Sequence, residues 1–308
     1  MLQILLGAVM LGLLWSLMTI GVYLTYRILG IADLTVEGSI AMGAAIAAQA
    51  IYSGFNPFLA TLLAVGGGMA AGLATGLLHT RLKIPPLLAG ILTMIALYSI
   101  NLRILGRANL SLLRMPTVYT LFGRLGLGEN AFFINLGLNQ IISVIALALL
   151  CVGGIVIILY WFFGTEIGCS LRATGDNPQM SRAQGINTNQ MIVLGLVISN
   201  GLVALSGALI AQQQSYADVQ MGTGSIVIGL ASVIIGEVLY GKRGFFSRLI
   251  SLVLGAVTYR IIIALVLEMG MPAHDLKLFT AITVAVALAL PVFKSYLIPI
   301  KDSLKEAL

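Results

Sequence analysis

The stretch that decides the fold runs from Ile141 to Phe163, reads IISVIALALLCVGGIVIILYWFF and carries no charged side chain. A helix of about 20 apolar residues spans the hydrocarbon core of a bilayer, so this stretch predicts a membrane-spanning helix. Similar runs lie on both sides of it, at Ile4–Leu29, Pro57–Thr80, Pro86–Leu105, Gln190–Gln212, Leu249–Leu267 and Phe279–Leu297, with two shorter ones at Gly38–Tyr52 and Gly224–Tyr240. Together they predict an all-α polytopic membrane protein with about 8–10 transmembrane helices.

The composition excludes several other classes of protein. Of the 308 residues, 59% are hydrophobic and 9% are charged, whereas soluble domains carry roughly 25% charged residues. The net charge of +6 does not indicate a nucleic-acid partner, because the basic residues punctuate apolar runs and form no solvated face. The two cysteines, Cys151 and Cys169, are too few for a disulfide framework or a metal site. We therefore treat residues 1–308 as one transmembrane domain.

The distribution of Lys and Arg predicts the orientation in the membrane. The positive-inside rule places the N-terminus outside and the C-terminus inside, because this arrangement leaves most basic residues in inner loops. Residues 106–140 then form a long extracytoplasmic loop, and residues 164–189 form a long cytoplasmic loop.

Glycines recur where helices are expected to touch. Gly68, Gly72 and Gly76 lie on one helix face, where small side chains let two backbones approach closely in lipid. In addition, Gly38-Ser39-Ile40-x-x-Gly43 is matched by Gly224-Ser225-Ile226-x-x-Gly229 in the second half of the chain. Short, glycine-interrupted segments at corresponding places are typical of the inverted repeats of transporters. A chance match in a chain rich in Gly, Ala and Ile is the alternative.

An irregular segment with two acids, Asp33-Leu34-Thr35-Val36-Glu37-Gly38-Ser39, separates the first two apolar runs. Irregular backbone persists at membrane depth only where protein covers it or where it lines a cavity. We expect Asp33 and Ser39 to cap the following helix. Non-helical backbone lining a conduit is the functional alternative.

Few other polar groups lie within the predicted spans. Arg260 falls near mid-bilayer, where an arginine costs roughly 2.5–3.5 kcal/mol, so it must face protein or water. Glu237 is its possible partner, and Arg260 is either a structural tie or a contact for the substrate. Since their hydroxyl and amides need partners in lipid, we expect Ser99, Asn101 and Asn200 to line a translocation path between two copies of the chain.

The inner loop contains the most informative motif, Leu171 to Asn187, which reads LRATGDNPQMSRAQGIN. Asp176 or Asn177 can cap a helix that has Pro178 in its first turn and that ends at Gly185. The result is a short amphipathic helix from Pro178 to Gln184, too brief to be stable alone. Such a helix is expected to dock in a groove of a partner protein. An ordinary connector between two spans is the alternative.

The sequence does not predict an enzyme. Residues 236–243 read GEVLYGKR and approach the P-loop pattern, but Arg243 replaces the required hydroxyl residue and the segment ends a membrane span. His79 and His274 fall at opposite membrane faces, and no metal-binding or nucleophile motif occurs. We expect no cofactor in this chain.

The inner loop resembles that of a known family. The pattern L-R-A-T-G-D-N-P-x-x-x-x-x-x-G-I-N is similar to the cytoplasmic coupling loop of permeases in bacterial binding-protein-dependent ABC importers of the branched-chain amino acid and ribose type. Arg27-Ile28-Leu29 with the segment from Asp33 to Ser39 resembles a subgroup linked to aromatic amino acids. One departure is Glu237, which stands where the family has a small residue.

This resemblance implies a fold and a set of partners. The fold is a helical bundle of the larger, cobalamin-importer type in the bacterial inner membrane. The implied partners are a second copy of the chain, two cytoplasmic ATPase subunits that bind ATP and Mg²⁺, an extracytoplasmic solute-binding protein and membrane lipid. The implied substrate is an aromatic or branched-chain amino acid. A sugar or nucleoside permease of the same type and a proton-coupled secondary transporter are the alternatives.

The resemblance also implies two contact surfaces. In the inner loop, we assign the ATPase contact to Arg172, Asp176, Asn177, Pro178, Arg182, Gln184 and Gly185. On the outer side, basic residues concentrate between the fourth and fifth spans against the positive-inside rule, at Arg103, Arg107, Arg114 and Arg124. We expect this cluster to dock the binding protein through charge complementarity. Contacts with lipid phosphates and local helix capping are the alternatives.

Overall fold

The computed structural model describes residues 2–122, 139–241, 244–268, 278–286 and 289, and helices predominate within these ranges. The first half contains α1 (Leu2–Tyr23) with a π-helical continuation (Leu24–Ile28), α2 (Thr35–Tyr52), α3 (Pro57–Thr80), α4 (Pro86–Leu105), β1 (Asn109–Ser111) and α5 (Val118–Phe122). The second half contains α6 (Asn139–Gly164), α7 (Glu166–Asp176), α8 (Pro178–Ala183), α9 (Thr188–Gln214), β2 (Tyr216–Asp218), α10 (Ser225–Tyr240) and α11 (Phe245–Glu268). Residues 278–286 are also helical.

Six of the described helices are long and apolar enough to cross a membrane, namely α1 with its continuation, α3, α4, α6, α9 and α11. They correspond to six of the predicted spans, and the predicted bounds of α3 and α4 match to the residue. The shorter helices α2 and α10 occupy the two short predicted segments. The all-α polytopic fold is therefore confirmed. Most of the ninth predicted segment, 279–297, lies outside the described residues.

Local chemistry explains the sharp ends of α3 and α4. The Asn56 side chain accepts a hydrogen bond from the backbone N–H of Phe58 at 2.9 Å, and Pro57 occupies the first turn of α3. Gly106 ends α4 with φ +68°, a left-handed conformation that favours glycine.

Helix α9 is the central element of the bundle. Of its 18 most apolar consecutive residues, 67% are buried. Helices α1, α2 and α3 pack around it. The glycines Gly68 and Gly72 bring α3 against the carbonyl oxygens of Asn200 and Leu196, and Gly43 of α2 approaches the α9 backbone in the same way. The predicted small-residue contacts are confirmed, and they hold three helices at backbone contact.

Helix α6 lies at the periphery of the bundle. Only 33% of its 18 most apolar consecutive residues are buried. The large side chains of Leu150, Ile157 and Trp161 are exposed. Exposed apolar side chains also cover the outward faces of α3 and α4. In a bilayer these surfaces face lipid, which is as apolar as the side chains themselves.

A two-stranded ribbon departs from the all-helical prediction. Strands β1 and β2 pair antiparallel, with Leu110 opposite Ala217, and both of these residues are buried. The strands follow α4 and α9, and their pairing satisfies the backbone groups of the strand residues where the helices have ended. Three-residue strands show too little alternation for a sequence pattern to indicate them.

Candidate functional site

The inner loop folds as two helices, α7 and α8, joined at Asn177. The backbone of Asn177 is extended, and its Oδ1 accepts a hydrogen bond from the N–H of Met180 at 3.0 Å. Pro178 occupies the first turn, and Gly185 follows the helix with φ +83°. The predicted short helix is confirmed with Asn177 as its cap, although α8 ends at Ala183, one residue earlier than predicted.

Helix α7 is fixed to the bundle by two contacts. The backbone of Gly175 lies against the carbonyl oxygen of Ile28, where a Cβ atom would collide. Arg172 donates from Nη2 to the carbonyl oxygen of Phe163 at 2.7 Å, and its guanidinium lies 5.5 Å from the ring centre of Phe245. Arg172, predicted as an ATPase contact, therefore also ties the loop to α6 and α11.

Helix α8 presents most of its surface to solvent. Ser181 is its buried residue, and Arg182 donates from Nε to the Thr188 hydroxyl at 2.8 Å, which ties α8 to the start of α9. Met180 is 55% exposed although it is apolar. The other predicted contact residues are exposed as well, namely Asp176, Asn177, Pro178, Gln184 and Gly185.

A buried polar network closes the break between α1 and α2. Asp33 accepts from the Thr35 N–H at Oδ1 (2.9 Å) and from the Asn200 side-chain amide at Oδ2 (2.8 Å). The Ser39 hydroxyl donates to Oδ1 of Asn200 at 2.7 Å. Asp33 thus bonds the first N–H of α2 from the position before the N-cap residue, which is Leu34 and not Asp33 as predicted. Ser39 was expected to cap the helix, and it instead joins α2 to α9.

The predicted path residues fall into two groups. Asn101 donates from Nδ2 to the carbonyl oxygen of Gly38 at 3.2 Å, so α4 and α9 hold successive residues of α2 through Asn101 and Asn200. Both asparagines are buried, whereas Ser99 is exposed on another face of α4. The structure therefore brings Asn101 and Asn200 together around α2 and leaves Ser99 apart. Their place in a path stays a prediction.

Glu37 joins the starts of the two short helices. Its Oε1 accepts from the N–H of Gly224 at 3.0 Å, directly before α10. The backbone of Gly222 lies against the carbonyl oxygen of Glu37. The matched segments 38–43 and 224–229 therefore begin close together, each at the start of a short helix. Sequence reasoning missed this bond because the two residues are 187 positions apart.

The intramembrane charges are paired differently from the prediction. Glu237 forms an ion pair with Arg27, with 3.3 Å between Oε1 and Nε. Arg260 lies over the Trp15 ring, 4.2 Å from its centre, and its Nε is buried without a hydrogen-bond partner. The expected Glu237–Arg260 pair is thus replaced by an ion pair and a cation–π contact, because Glu237 and Arg27 both lie near helix ends whereas Arg260 lies within α11.

The outer arginines flank the ribbon. Arg103, Arg107 and Arg114 are exposed, and Arg107 lies 5.7 Å from the ring centre of Tyr52. Arg114 adopts φ +68° in the turn after β1. Arg124 lies outside the described residues.

The segment after the ribbon is anchored to the central helix. The Tyr119 hydroxyl donates to the carbonyl oxygen of Leu209 at 3.0 Å, and burial raises the pKa of Tyr119, which keeps the phenol protonated as a donor. Gln212 accepts from the N–H of Val118 at 3.0 Å. The segment between α4 and α6 is therefore positioned by α9 as far as the structure describes it.

These features define a class: a multi-pass membrane protein of the transport type, with a buried polar break and a rigid inner loop. Among the described residues, no group of three or more His, Cys, Asp or Glu side chains could hold a metal ion. The family model described as branched-chain amino acid transport system / permease component matches residues 4–291, and the chain belongs to this family. It is thus the permease component of an ABC-type transport system in the inner membrane, a transporter subunit and not an enzyme.

Three relatives illustrate the similarity. The chain is 42% identical to a tyrosine transport system permease protein of Clostridioides difficile (strain R20291), over 90% of this chain and 88% of the relative. It is 33% identical to the uncharacterized protein RP368 of Rickettsia prowazekii (strain Madrid E), over 88% and 91%. It is 29% identical to the galactofuranose transporter permease protein YtfT of Escherichia coli (strain K12), over 87% and 74%. No solved structure matches the chain.

Proposed function

We propose that this chain is the membrane-spanning subunit of an ABC importer for an aromatic amino acid, with tyrosine as the first candidate. The observation that carries the proposal is the 42% identity to a tyrosine permease across 90% of the chain. The weaker similarity to a galactofuranose permease makes a sugar the second candidate.

In the proposed assembly, two copies of the chain enclose the path, and two cytoplasmic ATPase subunits bind ATP and Mg²⁺. An extracytoplasmic binding protein delivers the solute to the outer arginines. The N-terminus lies outside and the C-terminus inside, which places α7 and α8 in the cytoplasm. The chain itself supplies the path and the contact that couples it to hydrolysis.

We assign the coupling to α8 because it combines an exposed face with a rigid mount. Met180 offers an apolar side chain for a groove of the ATPase, as helix-in-groove contacts require. A displacement of α8 is passed to α7, whose Gly175 touches the end of α1 at Ile28. Ile28 is followed closely by the break at Asp33. A displacement of the inner loop is therefore expected to change the hydrogen bonds of Asp33 and Asn200 that hold α2.

The translocation path is assigned to Ser99, Asn101 and Asn200. Because both asparagines are bonded to α2, they can line the path only when α2 moves away from α4 and α9. Cysteine at Ser99 should therefore react with a small polar thiol reagent in the resting complex. Cysteines at Asn101 and Asn200 should react only during turnover, and cysteine at the buried Leu196 should remain unlabelled throughout.

The substrate is tested with the complete complex in nanodiscs, with its ATPase and binding protein. Tyrosine, phenylalanine, tryptophan, leucine and galactose are compared for uptake and for stimulation of ATP hydrolysis. We expect the aromatic amino acids to stimulate both. Stimulation by galactose alone would favour the sugar candidate, and uptake driven by a proton gradient without ATP would exclude the importer.

The coupling contact is tested with Met180→Glu, which places a charge on the exposed face of α8 without touching its cap. The matched control is Leu82→Glu, because Leu82 is also exposed but lies in the turn between α3 and α4. We expect Met180→Glu to abolish substrate-stimulated hydrolysis and the control to retain it. Equal activity of the two variants would remove α8 from the coupling contact.

A further inference from the structure

A cavity of about 730 Å³ opens at the ends of α1, α7 and α11. Its lining includes three arginines from three different elements, Arg27, Arg172 and Arg248, and one carboxylate, Asp176. Arg172 and Asp176 also belong to the predicted ATPase contact, whereas Arg27 and Arg248 belong neither to that contact nor to the proposed path.

The three guanidinium groups differ in what they already bind. Arg27 is paired with Glu237, and Arg172 donates to the carbonyl oxygen of Phe163. Arg248 has a buried Nε atom without a hydrogen-bond partner. Three guanidinium groups stand against two carboxylates, Asp176 in the lining and Glu237 on Arg27, so the site keeps a net positive charge and favours an anionic ligand. Guanidinium groups also match the geometry of phosphate oxygens.

The surroundings of the cavity indicate where the anion comes from. Phe246 follows the lining residue Phe245 and is exposed, and its ring packs edge-to-face on the exposed Tyr160 at 5.5 Å. Tyr26, next to Arg27, is exposed as well. Exposed aromatic rings at helix ends are typical of the interface between membrane and water. The cavity therefore lies where lipid headgroups are concentrated.

We propose that this cavity binds the phosphate group of an anionic phospholipid in the inner leaflet. The phosphate oxygens accept from Arg248 and its neighbours, and the acyl chains lie along the exposed aromatic side of α6 and α11. Basic pockets at the cytoplasmic ends of membrane helices bind anionic headgroups in this manner. Because Arg172 and Asp176 belong to α7, the bound lipid also touches the arm that carries α8.

The experiment compares the full chain with Arg248→Gln in nanodiscs that contain phosphatidylglycerol or only phosphatidylcholine. Lipid retained on the protein is counted by native mass spectrometry. The matched control is Arg81→Gln, which removes an exposed arginine at the end of α3, on the same predicted side but outside the cavity. One basic contact is worth about fivefold in affinity, so we expect roughly fivefold weaker retention of phosphatidylglycerol by Arg248→Gln and none of this loss in the control.

Two further arms separate the sources of the anion and guard against misfolding. Inorganic phosphate is titrated onto the protein in nanodiscs that contain phosphatidylglycerol, and full displacement of the retained phosphatidylglycerol by phosphate would assign the site to the free anion. Arg248→Lys keeps the positive charge and replaces Arg248→Gln as the test variant if the latter does not fold. We expect it to retain phosphatidylglycerol less well than the unchanged protein and better than Arg248→Gln. Unchanged lipid retention in the folded variant overturns the proposal.

Discussion

Helices α6 and α9 are both long apolar spans, yet they occupy opposite environments. The mean hydropathy of α6 is the higher of the two, but only 33% of its 18 most apolar consecutive residues are buried, against 67% for α9. On α6, Gly153 and Gly154 face open space. On α9, Asn200 and Ser206 are buried and bonded to other helices.

The difference shows that hydropathy does not rank the spans by burial in the core, since α3 and α4 have the lowest mean hydropathy, 1.7, and yet only 33% and 28% of their most apolar residues are buried. Between helices in a bilayer, apolar surface gains little by leaving lipid, so close packing and hydrogen bonds select the interior residues. The interior of this bundle is accordingly marked by small and weakly polar side chains. Large aliphatic and aromatic side chains lie both in the core, as at Leu14, Leu17 and Tyr23, and on the outer surface.

The strongest test of this comparison replaces one glycine in the contact between α3 and α9 and one glycine on α6. At Gly72, a methyl group would collide with the carbonyl oxygen of Leu196. Backbone atoms cannot move aside cheaply, so we expect Gly72→Ala to destabilise the fold by about 1–3 kcal/mol. At Gly154 of α6, alanine meets nothing and should be neutral or stabilising by up to about 1 kcal/mol. Thermal unfolding in nanodiscs measures both changes.

Equal stability of Gly72→Ala and Gly154→Ala would contradict the central position of α9. A loss at Gly154 alone would indicate that α6 faces another protein surface rather than lipid, for example a second copy of the chain.

The second test asks how much the polar bonds add to this close packing. Asp33→Asn would turn one of two accepting oxygens into a donor that faces either the Asn200 amide or the Thr35 N–H, so we expect a loss of about 1–3 kcal/mol in the free energy of unfolding. Asn200→Asp alone would set two carboxylates together. The double exchange restores a donor opposite an acceptor, and Ser39 can still donate to Asp at position 200.

We expect the double exchange to recover at least half of the loss from the single variants, which thermal unfolding and a double-mutant cycle would measure. Strictly additive losses would mean that Asp33 and Asn200 act independently, and the network would then not hold α2 to α9.

Much of the fold could be predicted because the lipid solvent imposes length and composition on each span. The bounds of α3 and α4 follow from Pro57, Pro86 and Gly106, which act within one helix turn. Helix α8 was equally accessible, because Asn177 and Gly185 determine it locally. Short-range chemistry is what a single sequence reports well.

The contacts that sequence reasoning missed join residues far apart in the chain. The Glu37–Gly224 bond, the Arg27–Glu237 pair and the cavity at Arg248 each combine distant segments. Helix depth decided between Arg27 and Arg260 as the partner of Glu237, and depth depends on how neighbouring helices pack. Composition and spacing contain no measure of it.

The smallest expected effect concerns the arginines on the predicted outer surface. Neither lipid contact nor close packing accounts for these exposed charges, so we expect them to bind a partner. Arg107→Glu combined with Arg103→Glu should slow docking of the binding protein severalfold at low salt and weaken its salt dependence, because charge complementarity mainly sets the association rate. Folding should be unaffected, since both arginines are exposed and the contact of Arg107 with Tyr52 is worth at most about 1 kcal/mol. The matched control, Arg81→Glu, carries the same reversal on the opposite predicted side. Stopped-flow association rates measure the effect, and equal rates in all variants would remove the arginine cluster from the docking surface. In a separate labelling experiment, a cysteine that replaces Arg107 is exposed to an impermeant thiol reagent. Labelling only from the cytoplasm would invert the proposed orientation.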